Sequence, residues 1–171
     1  MIVTTHTKVL YVSPASQMQS LPGVLKELQS FLDPESLEVL QKLYLKGFFR
    51  ESSRHIRKIE LIEFEQDVPF VEIPTLIKER GLISASVSSC LDLLHALHGR
   101  KNQDIRESFF NGGFTLLSME SLVLEGKVHY LVIGEDHSSP KRDGQNLFSV
   151  RLLTPFRTFA HRLYRVIGAH R

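Results

Sequence analysis

The side chains with the clearest chemical potential in this sequence are the basic ones of its last eighteen residues, 154–171. This stretch contains four arginines, two histidines and no acidic residue. An arginine guanidinium presents its N–H donors in a planar fork that fits phosphate and carboxylate oxygens. A loop at 135–146 adds one lysine and one arginine. We therefore predict contact with an anionic partner (RNA, DNA, acidic lipid or an acidic protein surface) through Lys141, Arg142, Arg151, Arg157, His161, Arg162, Arg165 and Arg171.

The charge distribution is compatible with two interpretations of this basic segment. The chain carries a formal net charge of +2, but seven basic residues and one acidic residue lie between His137 and Arg171. Such asymmetry is typical of a chain with an anionic partner. It also suits an internal fit, in which the basic end docks on the acidic stretch IELIEFEQD of the same chain. The sequence leaves both interpretations open.

Two histidines have a spacing that suits metal binding. His95 and His98 are three residues apart on a predicted helix and can present two imidazoles to one metal. A third ligand would have to be His129, Asp136 or His137. On the helical wheel, however, His98 lies inside the apolar stripe and His95 at its margin, near the helix C-terminus, where histidine is favourable. A structural role is therefore favoured, and a metal site remains the weaker alternative.

Signatures of catalysis are incomplete throughout the sequence. Cys90 and a nearby histidine would suit a thiolate nucleophile, but Cys90 lies on the apolar stripe of its helix, which predicts a buried, inert thiol. GEDH at 134–137 places an acid and a histidine after a strand, without a motif that completes a triad. NGGF matches neither a Walker A loop nor a dinucleotide fingerprint. We expect a non-catalytic protein without a cofactor, with a small enzyme or metal-binding protein that uses His95 and His98 with Asp136 and His137 as the alternative.

Strand signals occur along most of the chain. Segments rich in β-branched and aromatic residues predict strands at TKVLYVS, RHIRKIELIEFE, FTLLSMESLVL, KVHYLVIG and LFSVRLL. The second of these is apolar on both faces, which favours an inner strand. Pro69 and Pro74 limit VPFVEIP to an edge strand or an extended connector. Glu125 and Gly126 predict a β-hairpin.

Helix signals are strongest at caps and apolar stripes. One helix is predicted after Pro22, and a second has Asp33 as N-cap, Pro34 in its first turn and Gly47 beyond its end. Serine caps and an apolar stripe make SASVSSCLDLLHALHG the principal core helix. A C-terminal helix over 154–168 is predicted from Thr154 as N-cap, Pro155 at the first position, and the separation of apolar and basic residues on the wheel.

The order of these elements predicts the fold class. Strands cluster late and do not alternate regularly with helices, so we expect an α+β fold. The expected architecture is a single domain spanning 1–171, with a mainly antiparallel sheet of about four to five strands and helices packed on it. The polar loop 135–146 is expected to be mobile. Without an apolar run long enough to cross a bilayer or a secretory signal pattern, we expect a cytoplasmic protein, with peripheral attachment to a membrane as a further option.

The late elements, in the order strand, helix, hairpin, strand and closing helix, resemble the matrix proteins of rhabdovirus-type RNA viruses. The similarity is one of pattern over about two thirds of the chain, with no motif residues to carry across. It implies a structural, self-assembling protein as an alternative. Our main expectation is a non-catalytic binding or assembly protein whose basic C-terminal segment contacts an anionic partner.

Overall fold

The structure is a computed structural model that describes residues 7–12, 20–49, 57–98 and 102–170. Two short 3-10 turns, Gln29–Phe31 and Phe70–Glu72, accompany the helices and strands. The helices are α1 (Leu21–Leu28), α2 (Pro34–Leu45), α3 (Ile73–Glu79), α4 (Val87–Leu97) and α5 (Gln103–Phe110). The strands are β1 (Thr7–Val12), β2 (Arg57–Ile62), β3 (Val68–Pro69), β4 (Ile83–Ser84), β5 (Thr115–Ser118), β6 (Leu122–Leu124), β7 (Lys127–Asp136), β8 (Leu147–Leu153), β9 (Thr158–Phe159) and β10 (Tyr164–Ala169).

Eight of the strands form one mixed sheet. Its main path runs β1-β2-β10-β5-β7-β6, while β4 also pairs with β10 and β8 with β7. The β10–β5 pair is parallel and the other pairs of this sheet are antiparallel. A separate two-stranded sheet joins β3 and β9. The α+β class is confirmed, but the prediction of about four to five antiparallel strands is wrong. The difference arises from short strands such as β4 and from the C-terminal strand β10, which joins two parts of the sheet.

The predicted C-terminal helix over 154–168 is also wrong, because the described part of this segment holds β9 and β10 instead. Residues 165–169 are buried without interruption, with Val166 and Ile167 in the apolar clusters on opposite faces of the sheet. A short apolar run of this kind fits both the helical and the strand periodicity, so the helical wheel could not distinguish a helix from a strand. The resemblance to matrix proteins relied on this closing helix and loses that support.

Gly168 has a packing role in β10 rather than the helix-stop role that its position suggested. A Cβ atom there would lie 2.9 Å from Cδ1 of Leu82 and 3.5 Å from its Cβ. Leu82 is itself buried against the sheet. A side chain at this position would therefore have to displace the Leu82 side chain, which favours glycine here.

Apolar clusters cover both faces of the sheet. The larger cluster joins the inner faces of α1, α2, α4 and α5 to one face, with Leu28, Leu40, Leu94 and Phe148 among its members. The smaller cluster joins α3, the β3–β9 pair and an aromatic group to the other face. Burial on both sides explains why β2 carries apolar residues on both of its faces. The predicted inner position of β2 in the sheet is confirmed. We call the face of the sheet that the smaller cluster covers the second face.

Several local predictions are confirmed by the backbone. Asp33 caps α2, where its carboxylate accepts from the backbone N–H of Ser36 at 2.8 Å. Ser86 caps α4 in the same way, through Ser89. Glu125 and Gly126 both have positive φ angles, 53° and 75°, in the tight turn between β6 and β7. No helix within the described ranges is long and apolar enough to span a membrane.

Candidate functional site: the basic C-terminal segment

The acidic stretch after Lys58 meets the C-terminal segment side by side. Because β2 lies next to β10 in the sheet, the two charged stretches are brought together. Three acid–base contacts result: Glu60 with His170 at 2.7 Å, Glu63 with Arg165 at 2.9 Å, and Asp67 with His161 at 2.6 Å. The hydrogen bond from the His161 side chain lowers the pKa of Asp67. These contacts are of the kind that the internal fit predicts.

Arg165 is buried within the fold. Its side chain is only 5% exposed, and its guanidinium lies 3.9 Å from the centre of the Phe114 ring. Nη1 donates to the carbonyls of Ser108 and Phe109 at 3.0 and 2.6 Å. The Nε contact with Glu63 is an ion pair without the direction of a hydrogen bond. Burial lowers the pKa of Arg165 while Glu63 opposes that shift. The residue therefore ties β10 to the end of α5, and its guanidinium is engaged inside the fold.

Arg151 is likewise engaged inside the molecule. It forms a two-point contact with Asp33, Nη1 to Oδ1 at 3.0 Å and Nη2 to Oδ2 at 2.9 Å, and Glu35 lies 3.1 Å from Nη2. The hydrogen bond with Asp33 is the main reason that the pKa of Arg151 is raised. This pair joins β8 to the start of α2, and the charge of Arg151 is neutralised within the molecule.

The remaining basic residues of the predicted set stay at the surface. Lys141, Arg142, Arg157 and Arg162 are exposed, and within the described ranges none of them forms an ion pair. Arg162 lies close enough to Asp67 to favour its ionised form. Arg171 lies outside the described residues. The predicted binding surface is thus reduced from a continuous helix face to separate exposed cations.

Two exposed large aliphatic residues are neighbours of the exposed arginines, Leu163 along the chain and Val71 through a backbone hydrogen bond of the residue before it. The β8 strand ends opposite Tyr130, and β10 begins beside Thr115 at the other end of the sheet, so 154–163 crosses the second face. Val71 is 83% exposed, and the preceding residue donates its backbone N–H to the Arg157 carbonyl. Leu163 is 58% exposed and follows Arg162. We name Val71, Arg157, Arg162 and Leu163 the outer surface; sequence reasoning missed both aliphatic members, because Val71 lay in a predicted strand or connector and Leu163 on the apolar side of the wheel.

The loop that carries Lys141 and Arg142 contains two tight turns. The Asp136 carboxylate accepts hydrogen bonds from Ser138 and Ser139, which lower its pKa. Further along, Arg142 and Gln145 exchange backbone hydrogen bonds of 2.8 and 2.9 Å around a turn. The mobility expected for 135–146 stays a prediction.

The histidines proposed as metal ligands form hydrogen bonds in different parts of the structure. His95 and His98 donate from Nε2 to the two carboxylate oxygens of Glu27, at 3.1 and 3.0 Å, which links α4 to α1. His137 contacts the Asn146 side chain and His129 contacts a backbone carbonyl. Over the described residues, no group of three or more His, Cys, Asp or Glu side chains is placed to hold a metal ion.

Cys90 is buried, as its stripe position predicted, with 1% of its surface exposed. Burial raises the pKa of its thiol to about 12. Because the thiolate is the reacting form, we expect native protein to be labelled by a thiol reagent far more slowly than urea-unfolded protein. Mass spectrometry of timed samples measures this directly. Rapid labelling in the native state would contradict a structural role for Cys90.

Comparison with known proteins finds no match for this chain: no protein-family model, curated protein or solved structure is similar to it.

Proposed function

We propose that this chain is a non-catalytic binding protein that attaches peripherally to anionic membrane surfaces through the outer surface. The observation that supports this function is the combination of exposed aliphatic and exposed basic side chains there. Arginines attract acidic headgroups, and aliphatic groups gain free energy when they leave water for the acyl boundary. Arg151 and Arg165 do not take part, since their charges are already matched internally.

A membrane fits the outer surface better than a nucleic acid does. Proteins that bind single strands combine positive charge with exposed aromatic rings on which bases stack. The aromatic rings of this segment instead pack against the second face, where Phe156 and Tyr164 are half-buried and stack at 5.6 Å and Phe159 is buried. The exposed apolar groups next to the arginines are aliphatic and offer no stacking platform.

The loop cations lie at the same end of the sheet as Arg162. The β7 strand ends at Asp136, and near that end Gly134 lies against Thr115. Thr115 in turn pairs with Tyr164 at the start of β10. Lys141 and Arg142, in the loop that follows β7, therefore add positive charge at this end of the sheet.

Vesicle binding tests the basic half of this function. The variant Arg157→Gln/Arg162→Gln is expected to partition onto phosphatidylserine-containing vesicles about 30-fold less well, because each base near an acidic surface contributes about 1 kcal/mol. Co-sedimentation with vesicles of phosphatidylcholine alone and with added phosphatidylserine measures the difference. The control, Lys46→Gln/Lys127→Gln, removes the same charge from exposed positions elsewhere and should partition like the parent.

Substitution of the aliphatic side chains distinguishes a membrane from other anionic partners. Val71→Ser/Leu163→Ser should weaken vesicle binding about tenfold, since both side chains lose apolar area that would leave water. Leu45→Ser/Val123→Ser, which alters equally exposed aliphatic residues elsewhere, is the control. If the parent fails to bind acidic vesicles at low salt, or binds RNA in a manner that depends on the arginines alone, the membrane function is wrong.

A further inference from the structure

A polar cleft lies between α5 and the loop that follows β7. Its volume is about 180 Å³, and it is formed by α5, the end of β7 and the loop that follows. Arg106 and Glu107 contribute from the helix, Glu135 from the strand, and Lys141, Gln145 and Asn146 from the loop. The elements that meet here come from distant parts of the sequence.

The floor of the cleft is hydrogen-bonded and internally neutral. Arg106 is 3% exposed and donates to Glu135 from Nε and Nη2 at 3.2 and 3.0 Å. It also donates to Gln145 Oε1 at 3.2 Å and to the Asn146 carbonyl, and its guanidinium lies 4.1 Å from the Phe148 ring centre. Burial lowers the pKa of Arg106 and Glu135 opposes that shift. A charge that is matched in this way positions the loop and leaves recognition to the walls.

The walls carry opposite charges. Glu107 lies on α5 and accepts from the Gln103 side chain at 3.1 Å, while Lys141 lies on the loop. Both side chains are exposed, and no ion pair joins them. The Lys141 backbone is held close to the anchored turn between Arg142 and Gln145. The cleft therefore presents one carboxylate and one ammonium from different elements.

We propose that this cleft binds a small zwitterion of the α-amino acid class, with its ammonium on Glu107 and its carboxylate on Lys141. The two formal positive charges of the lining equal its two formal negative charges, so a simple anion or cation meets one like charge for each opposite one. The lining contains no aromatic ring on which a sugar could stack. The cleft volume of about 180 Å³ is sufficient for small members of the class such as glycine, alanine and serine.

This inference does not rest on the membrane function, because it concerns a soluble ligand and a cleft whose lining includes none of the four residues of the outer surface. Titration calorimetry with glycine, L-alanine and L-serine, without vesicles, is the test. Acetate, which carries only the carboxylate, and methylammonium, which carries only the ammonium, serve as comparison ligands. The zwitterions are expected to bind more tightly than either comparison ligand, because only they satisfy both walls at once.

Substitution of each wall residue completes the experiment. Glu107→Gln and Lys141→Gln should each weaken amino acid binding by about tenfold, since each removes one charge-assisted hydrogen bond. Glu38→Gln and Lys46→Gln neutralise exposed residues elsewhere and should leave binding unchanged. Absence of binding to all three amino acids overturns the inference. It is also overturned if acetate binds as tightly as glycine and Glu107→Gln has no effect, which would indicate a simple anion site.

Discussion

Replacing Arg165 with methionine is expected to lower the free energy of unfolding by about 3 to 5 kcal/mol. The reason is that Glu63, whose side chain is 17% exposed, would keep a charge with its buried partner removed. The carbonyls of Ser108 and Phe109 would also lose their donor, and the Phe114 ring its cation. Urea unfolding followed by circular dichroism measures the change. A loss of this size identifies Arg165 as part of the core.

Two further variants make this result specific. Arg157→Gln, at an exposed arginine of the same segment, should change the free energy of unfolding by less than about 0.5 kcal/mol. Arg165→Met/Glu63→Gln removes both charges, so it should recover part of the stability that the single variant loses. If Arg165→Met is as stable as the parent, its charge is free for a partner, and the binding role expected from the sequence returns.

The local signals in the sequence were reliable where the interacting residues are close along the chain. The cap at Asp33, the first-turn proline after it and the Glu125–Gly126 turn each involve residues within one turn of the backbone. Pro74 shows the limit of such local signals. A proline suits the edge of a strand, as the sequence predicts here, but Pro74 occupies the first turn of α3, where a proline is equally acceptable. The α5 helix was missed because its eight residues are mainly polar over the first turns.

The C-terminal segment exceeded what local signals can decide. Thr154 and Pro155 suit a helix start, but 164–169 fills a gap between β2 and β5. That gap exists only once distant strands have paired, so burial on both faces overrode the helical wheel. The same strand pairing determines which acidic and basic residues meet inside the molecule. Composition showed that acidic and basic stretches exist, and the internal fit was one of two open interpretations, but only strand order brings Glu63 to Arg165. The outer surface, likewise, could not be found by counting charges.

Asp33 is the second position at which one substitution should have a large effect. Its carboxylate, 5% exposed, caps α2 through Ser36 and holds Arg151 by two hydrogen bonds. Asp33→Ala is therefore expected to lower the free energy of unfolding by about 2 to 4 kcal/mol at neutral pH, the sum of a lost cap and a broken, partly buried pair. Glu35→Ala removes the other, exposed carboxylate from Arg151 and spares the cap, so it should cost less than about 1 kcal/mol.

The pH dependence of this effect distinguishes the ionised cap from simple packing. Burial acts to raise the pKa of Asp33, but hydrogen bonds from Arg151 and Ser36 outweigh it and lower the pKa below 3.8. A carboxyl whose pKa is lower in the folded state stabilises the protein above its unfolded pKa, and this contribution is lost as the pH falls through the folded value. Urea unfolding of parent and Asp33→Ala should thus differ most at neutral pH and converge below the ordinary aspartate pKa. A difference that stays constant down to the lowest measurable pH would mean that the carboxylate charge contributes nothing and that the side chain acts through packing alone.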